Sequence, residues 1–305
     1  MTARIAFVTM VRDEPVFLPL WIAHYSRISP RDHMFVVIDG LDQALPQQLE
    51  GLQVLRLPQV PVEPGWDAAR WRMLTAFANA LLERFDVVVL NDVDELIVLD
   101  PRHGDDLLAA LAEAKEIGVI SPFAVEVVHR PDLEHGPLRL DLPILRQRRH
   151  VRINSSYAKP CITARAIRWS LGGHASDYPD LHLSRKLYLF HLRAMDRDMM
   201  LARQARRRQL VSDAQGDLVP GVAGPSWHMA AHEVDAYYAR YLARGAPEDT
   251  DFDFEWQRLR VEQDWTRDPA TGLWSHARVL NRRSYRVPDR FADLIQPAAT
   301  SGFAA

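Results

Sequence analysis

The sequence predicts an α/β fold, a mostly parallel sheet flanked by helices. Three observations predict it. Short apolar runs alternate with helical stretches through the first half of the chain. The runs are too short for helices and read as buried strands. Three of them lead into acidic residues, in VRDEP, IDG and NDVDE, which places carboxylates at strand ends.

Ile5 to Val11 (IAFVTMV) reads as the first strand. Asp13 and Glu14 follow, and Pro15 opens a helix to about Ile28, a residue order that suits a first helical turn and its dipole. Met34 to Ile38 is the second strand and Gln53 to Leu57 a short third. Asp67 to Phe85 is an amphipathic helix, with Ala69, Met73, Phe77, Leu81 and Phe85 four apart. Val87 to Leu90 is the fourth strand, Asp105 to Lys115 a helix, and Val119 to Pro122 a further strand. Residues 123–186 hold short apolar runs, prolines and arginines. Leu187 to His191 is a late strand and Arg197 to Leu210 a basic helix. Val211 to Pro225, rich in Gly, Pro and Asp, marks a boundary. Residues 1–212 are expected to form the α/β domain, and 213–305 a mainly helical extension with helices near His232 to Ala243 and Phe254 to Trp265. The last residues, PAATSGFAA, read as frayed.

At 305 residues, 48% hydrophobic and 25% charged, the composition is that of a globular protein. No run approaches the ~18 apolar residues of a membrane span. The first residues lack the apolar core and cleavage site of a signal peptide. One cysteine, Cys161, excludes an internal disulfide framework, so a cytoplasmic location is expected. The net charge of −3 is uneven: Pro137 to Leu210 carries 16 Arg and Lys against five Asp, a local +11, leaving −14 elsewhere. That basic segment reads as a solvated face or as a wall toward an anion such as a pyrophosphate. No aromatic-rich RNA motif or helix-turn-helix signal is present, so nucleic acid is not an expected partner.

The densest chemistry is VVVLNDVDELIVLD, Val87 to Asp100. Burying unpaired carboxylates is costly, so cations, water or a metal must offset Asp92, Asp94 and Glu95. In an extended segment Asp92 and Asp94 project the same way. At the carboxyl end of a central strand, where open α/β sheets bind ligands, two hard oxygen donors suit Mg²⁺ or Mn²⁺. Such residues also cap turns. Asp39 is placed to accept hydrogen bonds from a base or ribose, although Asp39-Gly40 also reads as a turn.

Several of these stretches resemble family 2 glycosyltransferases. VRDEPVFLPLWIAHY is similar to the opening of a branch reading V-[KR]-[ND]-E…W-I-A-x-H, matched by Glu14, Leu18, Trp21, Ile22, Ala23 and His24. AFANALLERFDVVVLNDVDELIV resembles that branch's helix, with Asn79 at its asparagine, and its D-x-D strand. YAKPCITARAIRWSLGGHAS and LYLFHLRAMDRD resemble its later blocks. The likeness spans about residues 4 to 210. IDGLDQ is shorter than the family's loop, and Asn91 stands where members often carry an apolar residue.

The resemblance implies a GT-A fold and a metal-dependent, inverting transfer of a sugar from a nucleotide-diphosphate donor. The acceptor would be a saccharide, a lipid-linked sugar or a protein. It implies donor contacts at Glu14, Asp39, Asn79 and Asp92, with Arg148 and Lys159 near the diphosphate or in ordinary ion pairs. Asp94, Asp92 and His174, which follows Gly172 and Gly173, would form the metal site, with His191 the rival histidine. Inversion needs a carboxylate base. Glu126, flanked by apolar residues that would raise its pKa, is the first choice and Asp177 the second. Three alternatives stand beside this reading. A D-x-D phosphohydrolase would keep Thr or Val where Leu96 stands and place its motif near the start of the chain. A nucleotidyltransferase is closer in fold. A non-catalytic sugar- or partner-binding domain is the third.

Overall fold

The computed structural model describes residues 3–212, 218–219, 221–222, 224–279 and 283–296. The PAATSGFAA tail and part of the expected boundary segment lie outside them. Strands β1 (Ile5–Val11), β2 (Met34–Asp39), β3 (Gln53–Leu57) and β4 (Val87–Leu90) pair in parallel in the order β3-β2-β1-β4. Helix α1 (Phe17–Tyr25) follows β1 and α2 (Trp66–Leu81) follows β3. Side chains alternate across each strand. Ile5, Phe7, Val87 and Val89 join Trp21 and Tyr25 of α1 in one apolar layer. Ala6, Val8, Val88 and Leu90 join Trp71, Leu74 and Ala78 of α2 in the other. Helices on both faces of a parallel sheet make this half α/β and Rossmann-like.

Past β4 the chain makes β5 (Glu95–Leu99), the short helices α3 (Leu107–Ala112) and α4 (Ala114–Ile117), and the long β6 (Val119–Val128). After α5 (Ile144–Gln147) come β7 (His150–Ile153), β8 (Ile162–Thr163) and β9 (Leu183–Ala194). Antiparallel β8 joins β4 to β6, which pairs with β7 and, in parallel, with β9, while β5 pairs with β9. The strand expected to stop at Pro122 runs six residues further. Its register against β9 shifts between Ser121 and Phe123, so Pro122 sits at an irregularity that needs no N–H from it. The opening helix is shorter than expected at both ends.

Helix α6 (Arg197–Leu210) is capped by Asp196, whose carboxylate accepts from the Asp198 and Met199 amides. Beyond it come α7 (Ala231–Leu242), α8 (Glu255–Gln263) and the two-residue strands β10 (Thr266–Arg267), β11 (Trp274–Ser275) and β12 (Tyr285–Arg286). The two expected helices are there. This segment also enters the main core, since Phe252, Phe254, Val287 and Phe291 pack with the sheet and β12 extends the ten-stranded sheet beside β7. Among the described residues, no helix is long and apolar enough to cross a membrane.

Candidate functional site

In a sheet ordered β3-β2-β1-β4, the chain leaves β1 toward one side and returns to β4 on the other. The carboxyl ends of β1 and β4 therefore flank a crevice, the place where such sheets bind ligands. A cleft of about 580 Å³ lies there. Glu14 after β1, Asp39 at the end of β2, and Asp92 and Asp94 after β4 all line it. Gly40, at φ 118°, lets the chain turn past Arg12, whose guanidinium a Cβ would strike. Arg12 donates to the Asp39 carbonyl (2.7 Å) and pairs with Asp42 (2.9 Å), which fixes the shortened loop. Burial pushes the Asp39 carboxyl up, against the pull of Arg12 and Arg70.

The D-x-D segment is a turn rather than an extended run, yet both carboxylates reach the cleft. Asn91 closes the turn by donating to the Glu95 carbonyl and to the Tyr25 hydroxyl (3.3 Å), a task no apolar residue could perform. Each aspartate meets a cation. Lys159, 2% exposed, donates to Asp92 (2.9 Å) and pairs with Glu95 (2.7 Å). Arg203, 9% exposed, bridges Asp94 and Glu14 (2.8 Å) and lies over the Phe17 ring. Burial alone would raise both aspartates. Lys159 instead holds Asp92 below the ordinary range, and Arg203 with His191 holds Asp94 well below it. Burial pushes Glu95 up to about 7 despite Lys159. Asp92 keeps 35% of its side chain exposed against 7% for Asp94, so it is the more accessible to a ligand.

Helix α6 forms the facing wall. Arg203, Arg206, Arg207 and Leu210 line the cleft, and Arg203 and Arg207 stand one turn apart. Arg207 lies over the Trp227 ring at 4.8 Å, and Trp227 packs against Trp66. Burial, then Arg203, lowers the Arg207 pKa to about 9, so the site favours a compensating anion. The local charge of the sequence pointed to this helix, but packing decides which of its arginines face inward.

A polar row crosses the floor. Glu95, His191, Glu126 and Arg152 are register partners on β5, β9, β6 and β7. His191 lies 3.8 Å from Asp94 and 3.5 Å from Glu126, against the Tyr157 ring. Glu126 pairs with Arg152 and with Arg193 (3.2 Å). The expected rise in its pKa is reversed, because Arg152, Arg193 and His191 outweigh burial and hold it well below its usual range.

Of the residues expected at the site, Glu14, Asp39, Asp92, Asp94, Lys159, His174 and His191 line the cleft. His174 stands at its rim with Nδ1 2.5 Å from the Ser156 carbonyl, and His191 is the histidine that reaches Asp94. The others lie elsewhere. Asn79 is a clamp, its amide donating to the Ile167 carbonyl (2.9 Å) and accepting from the Ile167 N–H (3.2 Å). Arg148 is buried on Asp196 (2.8 Å) beside a different cavity. Glu126 is fully buried beneath the cleft, and Asp177 accepts from the Arg168 amide (2.8 Å) away from it. Lys159 is a buried bridge rather than a surface pair. Among the described residues no three His, Cys, Asp or Glu side chains are grouped to hold a metal by themselves. A magnesium-type ion commonly takes one or two carboxylates and fills its shell with water and phosphate oxygens, and Asp92 with Asp94 fits that donor set.

No family model matches the sequence, and no curated protein matches it. Among solved structures it is similar to glucosyl-3-phosphoglycerate synthase from Mycobacterium tuberculosis in complex with Mg²⁺ and uridine-diphosphate. That match has 21% identity and a TM-score of 0.27, and covers 40% of this chain and 44% of that one. The same enzyme with Mn²⁺, uridine-diphosphate-glucose and phosphoglyceric acid matches at 23% identity and a TM-score of 0.26, over 40% and 44% of the two chains. Mannose-1-phosphate geranyltransferase from Thermus thermophilus matches at 12% identity and a TM-score of 0.23, over 67% and 61%. The match spans less than half of the synthase. Likeness at this level carries no argument about activity, and the architecture stands on the strand order itself.

Proposed function

We propose that the protein is a GT-A-type glycosyltransferase of the family 2 kind, moving a sugar from a nucleotide-diphosphate donor to an acceptor hydroxyl. One observation carries the reading. Acids from the ends of three adjacent parallel strands converge on one switch-point cleft faced by the arginines of α6. Asp39 accepts from the ribose or base. Asp92 and Asp94 hold a Mn²⁺ or Mg²⁺, which when bound supplies Lewis-acid neutralisation of the leaving diphosphate. Arg206 and Arg207 receive its remaining charge in fork-like contacts. The acceptor, a saccharide, lipid-linked sugar or protein, enters beside Tyr157 and His174. Glu126, without exposed surface, serves by positioning His191 and Arg193.

The test is incubation with nucleotide sugars and Mn²⁺ in the absence of acceptor. Slow release of nucleoside diphosphate and free sugar, stopped by EDTA, is the expected result. Release of nucleoside monophosphate and sugar phosphate would instead point to phosphoanhydride chemistry and replace this reading.

A further inference from the structure

Both carboxylates of the acidic pair are already neutralised by the chain itself. Lys159 on Asp92 and Arg203 on Asp94 are both nearly buried, and with Asp94 buried as well, water does little to screen the Arg203 pair, while Asp92 opens one side of its pair to the cleft. Each cation takes one oxygen, Oδ2, of its aspartate, so a free divalent ion would have to shed its own water and bind beside a fixed positive charge that has already neutralised the carboxylate. Each cation has a second acid, Glu95 for Lys159 and Glu14 for Arg203, so releasing its aspartate does not leave it unpaired. Release is therefore feasible, but it needs compensation. A diphosphate supplies that, because it brings anionic oxygens to the metal and to Arg203, whose neighbour one turn on, Arg207, already lines the cleft.

We propose that Lys159 and Arg203 are built-in counter-cations that bar the acidic pair to a free metal ion, so that the metal enters only together with a phosphate-bearing ligand, toward which Arg203 turns as it leaves Asp94. The inference rests on the metal-dependent donor reading above. It makes metal and diphosphate binding mutually dependent, a coupling reciprocal between the two.

Calorimetry with MnCl₂ and with preformed Mn²⁺–pyrophosphate tests it on the full chain. The wild-type protein should bind Mn²⁺–pyrophosphate at least about tenfold more tightly than MnCl₂. Arg203→Gln should bind MnCl₂ alone at least about tenfold more tightly than wild type, and adding Asp94→Asn should cancel the gain. Wild-type protein that binds MnCl₂ as tightly as Mn²⁺–pyrophosphate would overturn the inference and leave the donor reading standing. So would an Arg203→Gln protein, folded by circular dichroism, that gains nothing. If that variant fails to fold, the wild-type comparison still decides. Binding of free pyrophosphate but not of its Mn²⁺ complex would overturn the metal reading, and this inference with it.

Discussion

A carboxylate with no exposed surface cannot take a proton from an acceptor hydroxyl, and Glu126 has none. What it does is balance two buried arginines. Removing one member of such a network strands the others, at a cost of about 3 kcal/mol. Glu126→Gln should therefore lose about that much stability in urea unfolding at neutral pH. An unchanged midpoint would show that the network carries no stability. His24 gives the pH dependence. Its ring is buried in α1 with Nε2 2.7 Å from the Ile97 carbonyl, and burial lowers its pKa from 6.5 to about 4. The unfolded chain then binds the proton more readily than the folded one. The stabilisation is whole above pH 6.5 and is lost as pH falls toward about 4. Over that range the stability difference between wild type and His24→Gln should shrink by roughly 3 kcal/mol. Glu95, raised by burial, works in the opposite direction but is common to both proteins, so the difference isolates His24. A difference independent of pH would contradict the assignment.

At the scale of elements, β1, β2, β4 and α2 were legible in the sequence because their signals are local, a short apolar run or a spacing of four. The loop before His174 has a local signal too. Gly173 has φ 70°, and a Cβ there would meet the Trp71 ring at 2.8 Å. Gly173→Ala should cost roughly 1–3 kcal/mol, read as a lower Tm. An unchanged Tm would mean that the loop does not need this close approach to α2. The polar row was not legible. Glu95, His191, Glu126 and Arg152 come together only through pairing of strands far apart in sequence, and nothing local to any one of them points to the other three. Pro122 hid the length of β6, because a proline ends a regular strand but is tolerated at a register shift. Asn79 fitted the motif as a ligand, while packing made it a clamp on Ile167. That the D-x-D pair reaches the cleft was legible, but its counter-cations were not, since Lys159 and Arg203 lie far along the chain from it.

For the whole molecule, we propose that the described residues beyond 212 are an integral part of the fold. Phe252 and Phe291 pack against Tyr188 and Phe190 in the main core, Phe254 packs against Phe252 and Phe123, and β12 pairs with β7. A chain ending at 212 would expose that aromatic cluster and should lack cooperative thermal unfolding by near-ultraviolet circular dichroism. A sharp transition in the shortened chain would restore the separate extension expected from the boundary composition. We propose that the switch-point cleft takes a nucleotide-diphosphate sugar with a divalent metal held by Asp92 and Asp94. The most direct measurement is a thermal shift of wild type and Asp94→Asn against a panel of nucleotide sugars, each with Mn²⁺ and with EDTA. A ligand at about 100 times its Kd adds about 2.7 kcal/mol to stability. At least one nucleotide sugar should raise the Tm of wild type with Mn²⁺, and the rise should be lost with EDTA and in Asp94→Asn. No rise with any nucleotide sugar, or an equal rise in EDTA and in the variant, would contradict it.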